Sequence, residues 1–187
     1  MLFIPRAIKI ALYLALLFSL AACHLTSKPE RELPLFDLMP VPDSLNGGGW
    51  LERFQFSGLV EQSMLVSTEF ARPLIQIAAV SFEGVPLTQL QFDTQTQKLT
   101  STNSLGVELD GRKIIYDMQS AFWPIALLEQ HMRDNNRVIE RNIAGQLTRR
   151  FYRNETLTRE ITYNGVLIQL NELEQNYRLK IERLEEY

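Results

Sequence analysis

The sequence predicts a mainly β (α+β) fold: a curved antiparallel sheet with a helical plug or lid. Three observations carry this. Residues 176–184 alternate cleanly, with Tyr177, Leu179 and Ile181 on one face and Arg178, Lys180 and Glu182 on the other, the pattern of a sheet with one dry and one wet face. Asn164-Gly165 lies between two such runs and is a two-residue hairpin signal. A single segment, Asp117 to Met132, instead places Met118, Ala121, Phe122, Ile125, Leu128 and Met132 at three- and four-residue spacings, one apolar helical face.

The elements follow in order. Phe54 and Phe56 alternate with Gln55 and Ser57 in a first strand, and a second covers Met64 to Phe70. Arg72-Pro73 separates it from Leu74 to Phe82, where Ile75, Ile77 and Ala79 share a side. Glu83 to Pro86 turns the chain into Leu87 to Phe92, and 93–96 turns it again. Residues 98–102 and 107–109 are shorter strand candidates, with Asp110-Gly111 expected as a hairpin turn. Pro124 lies inside the helical segment, where its missing donor kinks the helix or divides it in two. Strands return at 138–142, 147–153, 157–163, 166–173 and 176–184. The expected sheet has roughly eight to eleven strands and must bury its apolar face on something. A helix inside its curve does that.

The segment before the strands divides differently. Arg6 and Lys9 precede an apolar stretch from Ala11 to Ala22, the layout of a secretion signal over residues 1–22. Leu20-Ala21-Ala22-Cys23 resembles the bacterial lipobox. The resemblance implies cleavage before Cys23 and acylation of its thiol (diacylglycerol and palmitate-type chains) in a Gram-negative envelope. Each buried CH₂ of such chains contributes about 0.8 kcal/mol to anchoring. His24 follows, and the resemblance implies that a residue other than Asp there sends the protein to the periplasmic face of the outer membrane. Residues 23–49 contain Pro29, Pro34, Pro40 and Pro42 and end in Asn46-Gly47-Gly48-Gly49, which reads as a tether. Leu33, Leu35, Phe36, Leu38 and Met39 equally suit a strap docked on the body, and both readings stand. The body is residues 50–187.

Composition excludes several classes. The 187 residues carry 19 Lys+Arg against 22 Asp+Glu, a poor electrostatic match for nucleic acid. Removing the signal takes Arg6 and Lys9 with it, so the net charge moves from −3 to −5. One cysteine rules out an internal disulfide framework and a Cys-rich metal cluster, and two histidines, His24 and His131, leave little for a zinc site or a His-dependent triad. His131 sits near a helix end as a surface or capping residue. No Gly-x-Ser-x-Gly and no phosphate loop occur, so no enzyme activity and no cofactor are expected. Arg149 and Arg150, with Arg141, Arg153 and Arg159 nearby, form the densest basic segment. They are expected as solvated strand residues, or as contacts for acidic headgroups or an acidic partner. In a strand the adjacent pair points to opposite faces, and an inward arginine needs a partner or a wet cavity.

Taken together, the lipobox and tether, Phe54-Gln55-Phe56-Ser57-Gly58, Asp117-Met118-Gln119-Ser120-Ala121-Phe122-Trp123-Pro124 and Tyr177-Arg178-Leu179-Lys180-Ile181 resemble the LolB-like outer-membrane lipoproteins. The resemblance is nearest to an uncharacterised branch that often accompanies aryl-polyene lipid genes. It implies a LolA/LolB-like half-barrel closed by helices, with a cavity for acylated cargo (a lipoprotein or a specialised lipid), received from a soluble periplasmic carrier resembling LolA. Face by face, Phe54, Phe56, Ile75, Ile77, Phe122, Trp123, Ile161, Tyr163, Leu179 and Ile181 are the expected lining. The resemblance also implies a protruding apolar loop for insertion. By chain order it falls at Phe82 and Val85; by local sequence, Leu105 in Thr102-Asn103-Ser104-Leu105-Gly106 matches it. The alternatives are a structural or assembly lipoprotein without ligand, and an envelope hydrolase, which requires a clustered acid–base pair.

Overall fold

The structure, a computed structural model, describes residues 34–58, 61–104 and 110–187. It contains β1 (Gly49–Ser57), β2 (Glu61–Ala71), β3 (Leu74–Val80), β4 (Pro86–Asp93) and β5 (Lys98–Asn103). Then come α1 (Gly111–Phe122) and α2 (Ile125–His131), followed by β6 (Asn136–Ile143), β7 (Gln146–Arg153), β8 (Thr156–Asn164), β9 (Leu167–Glu172) and β10 (Tyr177–Glu186). All strand pairings are antiparallel, and the order is β5-β4-β3-β2-β1-β10-β9-β8-β7-β6. The sheet is not closed. Its two edges, β5 and β6, are neighbours in sequence, and the helices join them.

Local chemistry sets the strand connections. Gly165 takes φ +59° after Asn164 between β8 and β9. Ala144-Gly145 and Asn154-Glu155 adopt positive φ at both positions, the requirement of a tight turn that matches strand twist. A register shift at Phe151/Tyr152 places Phe151 opposite Arg159 and Tyr152 opposite Leu157. Such a bulge re-aims side chains, so Arg159 points inward with Ile161 while Leu157 turns outward.

The helical insert begins earlier than its apolar spacing suggests. Asp110-Gly111 is not a hairpin turn. The Asp110 side chain accepts the Lys113 amide at 3.2 Å and caps α1, satisfying a donor that no helical carbonyl reaches. Gly111 is there for space: a Cβ would lie 2.7 Å from the Leu99 side chain, so the helix start rests directly on the sheet. Pro124 divides the insert, with α1 capped at Trp123 and α2 starting at Ile125. The strand candidate at 107–109 lies outside the described residues.

One core fills the concave side. Val66, Phe70, Ile75, Ile77, Leu90, Phe92, Phe151, Ile161, Leu170 and Ile181 project from the sheet, and Ile115, Met118 and Ala121 from α1. The segment left open between tether and strap is a strap from Leu35 to Val41. Leu35, Phe36, Met39 and Val41 are buried, and Phe36 stacks on Tyr116 with ring centroids 4.4 Å apart. Its backbone is held at several points. Met39 and Gln119 exchange two hydrogen bonds at 2.9 Å, the Trp123 indole donates to the Pro40 carbonyl, and the Arg133 amide donates to the Leu35 carbonyl. These bonds place α1 between the strap and the sheet. Among the described residues, no helix is long and apolar enough to cross a membrane.

Candidate functional site

The candidate site is the concave face with its helical plug. Ile75, Ile77, Trp123, Ile161 and Ile181 are fully enclosed in the core, whereas Phe54, Phe56, Phe122, Tyr163 and Leu179 are partly buried against it. The partly buried residues on β1 and β10 are cross-strand partners: Phe54 faces Ile181 and Phe56 faces Leu179. Met64 on β2 faces Phe54, and the Phe56 ring stacks on Tyr177 at 5.4 Å. These residues form an apolar, half-exposed rim at the end of the sheet where β1 meets the β9–β10 turn. Deeper in, Trp50 packs against both Phe70 and Phe122.

The plug is attached to the sheet by polar contacts. Arg159 of β8 is buried among the concave side chains. Its guanidinium donates to Asp117 at 2.7 Å and to Glu172 through Nε at 2.8 Å, and also reaches the Ser120 hydroxyl. It lies 4.6 Å from the centre of the Tyr116 ring. Burial alone would lower the Arg159 pKa, but Asp117, Tyr116 and Glu172 together raise it, so the charge is retained. Tyr177 of β10 donates to the other Asp117 oxygen at 2.6 Å. Lys113 donates to Tyr177 and sits 3.5 Å from Asp117. Burial pushes the Tyr177 hydroxyl far up and lowers Lys113; it also pushes Tyr116 up to about 12. Two helix residues, Asp117 and Ser120, are thus tied to β8 and β9 through Arg159, and Asp117 to β10 through Tyr177.

A second set holds the C-terminal end of α1. The last carbonyls of a helix have no helical partner. Here Arg149 donates to the carbonyls of Ser120 at 2.8 Å and Trp123 at 3.0 Å, and Tyr163 donates to that of Ala121 at 2.8 Å. A cation at this end also complements the helix dipole. Glu140 fixes Arg149 through Nε and Nη2. The basic pair therefore splits as the strand geometry requires. Arg149 is buried and structural, not solvated, and Arg150 stays outside, paired with Glu160 at 2.6 Å. His131 bonds the Leu127 carbonyl through Nδ1, within its own helix.

The β3–β4 turn carries Phe82 and Val85 outward, 51% and 57% exposed. It is closed on itself: the Ser81 hydroxyl accepts from the amides of Glu83 and Val85, and Gly84 takes φ +83°. Both apolar side chains are presented by a defined turn and do not fold into the core. By register this turn lies at the same end of the sheet as the Phe54 rim and the β9–β10 turn, whose Leu173 is 51% exposed. Leu105 and Cys23 lie outside the described residues.

Sequence reasoning missed the Arg159 cluster. Its signal was present: Arg159 shares the parity of Ile161 and Tyr163, and Glu172 that of Ile168 and Leu170. A charge on each of two apolar phases, on strands that pair, predicts an inward ion pair. Among the described residues no group of His, Cys, Asp or Glu could hold a metal ion.

An open antiparallel sheet wrapped round one polar-tethered helix is the class of protein this geometry defines. Residues 52–185 match the family described as a protein of unknown function, DUF3261, and the chain belongs to that family. No curated protein matches it. Among solved structures, the chain is similar to a putative outer membrane lipoprotein-sorting protein domain from Vibrio parahaemolyticus. That match has 6% identity and a TM-score of 0.38, covering 78% of this chain and 86% of the other. It is also similar to a DUF1329 family protein from Desulfovibrio piger, with 8% identity and a TM-score of 0.27, over 77% and 86% of the two chains.

Proposed function

We propose that this protein is a non-enzymatic lipoprotein, anchored through acylated Cys23 to the periplasmic face of the outer membrane, that binds or transfers acylated cargo. The cargo is a lipoprotein or a specialised lipid such as a glycolipid or polyene lipid, and its donor is a soluble carrier. The carrying observation is the attachment of α1. An apolar concave face is covered by a separate helix and strap, which bury apolar side chains on it and are also fastened by hydrogen bonds and ion pairs at identifiable points. Moving that plug exposes Ile75, Ile77, Ile161 and Ile181 to an acyl chain, and apolar area then stays out of water through the transfer. The exposed Phe82–Val85 turn supplies the apolar contact with the bilayer.

The test uses a chain beginning after residue 22 with Cys23→Ala. It is expected to copurify with lipid or take up a fluorescent fatty-acyl probe, read by native mass spectrometry and fluorescence. No adduct and no uptake would sink the carrier reading. One observation favours the alternative of a ligand-free assembly lipoprotein: Phe36, Trp123 and Phe151 are fully buried in the interior in this conformation. Under that alternative, locking the strap to α1 leaves cellular function unchanged.

A further inference from the structure

A groove of about 760 Å³ opens on the side of the sheet away from α1, across β1, β10, β9 and β8. Its floor is a ladder set by register. Ser57, Arg178, Asn171 and Glu160 follow one another across the strands, as do Gln55, Lys180 and Gln169. Of the carboxylates beside it, Glu160 is committed to Arg150 and Glu182 to Arg53, while Glu61, opposite Ser57 on β2, has no ion pair among the described residues. Arg178 and Lys180 are exposed and have no carboxylate partner among the described residues. Two residues apart on one strand, they are spaced about 7 Å along the same face. The side chains of Gln55, Gln169 and Asn171 likewise make no hydrogen bond among the described residues. Leu173 ends the groove with an exposed apolar surface.

We propose that this groove binds an anionic saccharide chain, one bearing phosphate or carboxylate groups. The chemistry follows from the free groups. Arg178 and Lys180 offer charge-assisted donors to an anion. Each amide offers a donor and an acceptor, which suits sugar hydroxyls. A flat ladder with its polar groups turned outward accepts an extended polymer lying across strands. The same sheet contains its own comparison: the groove over β2 to β5 presents Gln76, Gln89 and Gln91 with Glu69 and no cation. It offers hydrogen bonds without the anion site.

The experiment is calorimetric titration of the full-length protein in non-ionic detergent. The probes are oligogalacturonate, phosphorylated dextran oligosaccharide and neutral dextran oligosaccharide. One or both anionic probes are expected to bind at least tenfold more tightly than neutral dextran, and more weakly as salt is raised. The stronger of the two identifies the anion. Arg178→Gln with Lys180→Gln should weaken that binding at least tenfold without changing the melting temperature. Gln76→Ala with Gln91→Ala should leave it unchanged. Absence of binding, or equal affinity in the Arg178/Lys180 double variant, overturns the proposal. So does binding to anionic-lipid vesicles that needs both cations when neither anionic saccharide binds, which would make the groove a membrane contact. The outcome is independent of acyl-probe uptake.

Discussion

Removing the Arg159 guanidinium is the sharpest test of how the plug is held. The side chain is buried between Asp117 and Glu172, which are buried too. Arg159→Met keeps volume but leaves Glu172 without a cation and Asp117 with only Lys113, 3.5 Å away. Breaking a buried pair by removing one partner costs about 3–5 kcal/mol, against a total stability of about 5–15 kcal/mol for a domain. For a chain of this size the expected loss in melting temperature is roughly 6–20 °C. Urea unfolding monitored by tryptophan fluorescence gives the free energy. Hydrogen exchange at the α1 amides shows whether the loss is local to the helix. The companion variant, Arg159→Met with Lys113→Met, Asp117→Leu and Glu172→Leu, removes every charge of the cluster. Apolar replacement of a whole buried ion cluster is about neutral or stabilising, so it should recover most of the stability. A single-variant loss below about 1 kcal/mol, the range of exposed pairs, would refute the view that Arg159 is the buried fastening of α1.

Other outcomes follow from the same geometry. Arg149→Lys replaces a planar fork that serves Glu140 and two helix carbonyls with a point donor; α1 amide exchange should accelerate, with about 1–2 kcal/mol lost in urea unfolding. Phe82→Asp with Val85→Asp should leave stability within about 0.5 kcal/mol. It should weaken vesicle binding of the unacylated chain roughly thirtyfold, by about 2 kcal/mol for two half-exposed side chains, measured by flotation. Burial holds the Glu52 carboxyl above the ordinary range despite Arg183. A raised folded-state pKa means the native state binds that proton more tightly, so the contribution favours folding at low pH and is lost as pH rises through the raised value. Unfolding free energy should therefore fall less in Glu52→Gln than in the parent from about pH 4.5 upward, measured by urea titration at each pH.

The sheet was legible wherever one face stays wet. Tyr177, Leu179 and Ile181 alternate because β10 buries one side only, and Gly165 marks the β8–β9 turn, whose two loop residues are Gly165-Val166, one position later than the expected Asn164-Gly165. The helix start was hidden because Asp-Gly suits both a hairpin and a capped helix, and Arg112-Lys113 interrupts the apolar spacing. Docking of the strap was not legible. Leu35, Phe36, Met39 and Val41 have neither strand nor helix period, and their partners, Tyr116, Gln119 and Trp123, are some eighty positions away. At the candidate site, the apolar lining followed from strand parity, whereas the Arg159 cluster needs the pairing of β8 with β9 and the position of α1 over both.

The strand order has a consequence for how the chain is made. Every neighbour pair in the sheet is a hairpin except one, β1 with β10, where Arg53 meets Glu182 from 129 positions away. Two meanders, β1–β5 and β6–β10, can each assemble from local turns. Joining them requires closing a loop over ten times longer than a hairpin's, at a cost of about 2 kcal/mol more. The central seam is therefore the last to zip. A chain made from its N-terminus holds two half-sheets with bare inner edges until β10 is complete. A truncation within β10 leaves unpaired edges on β1 and β9, templates for pairing with another chain.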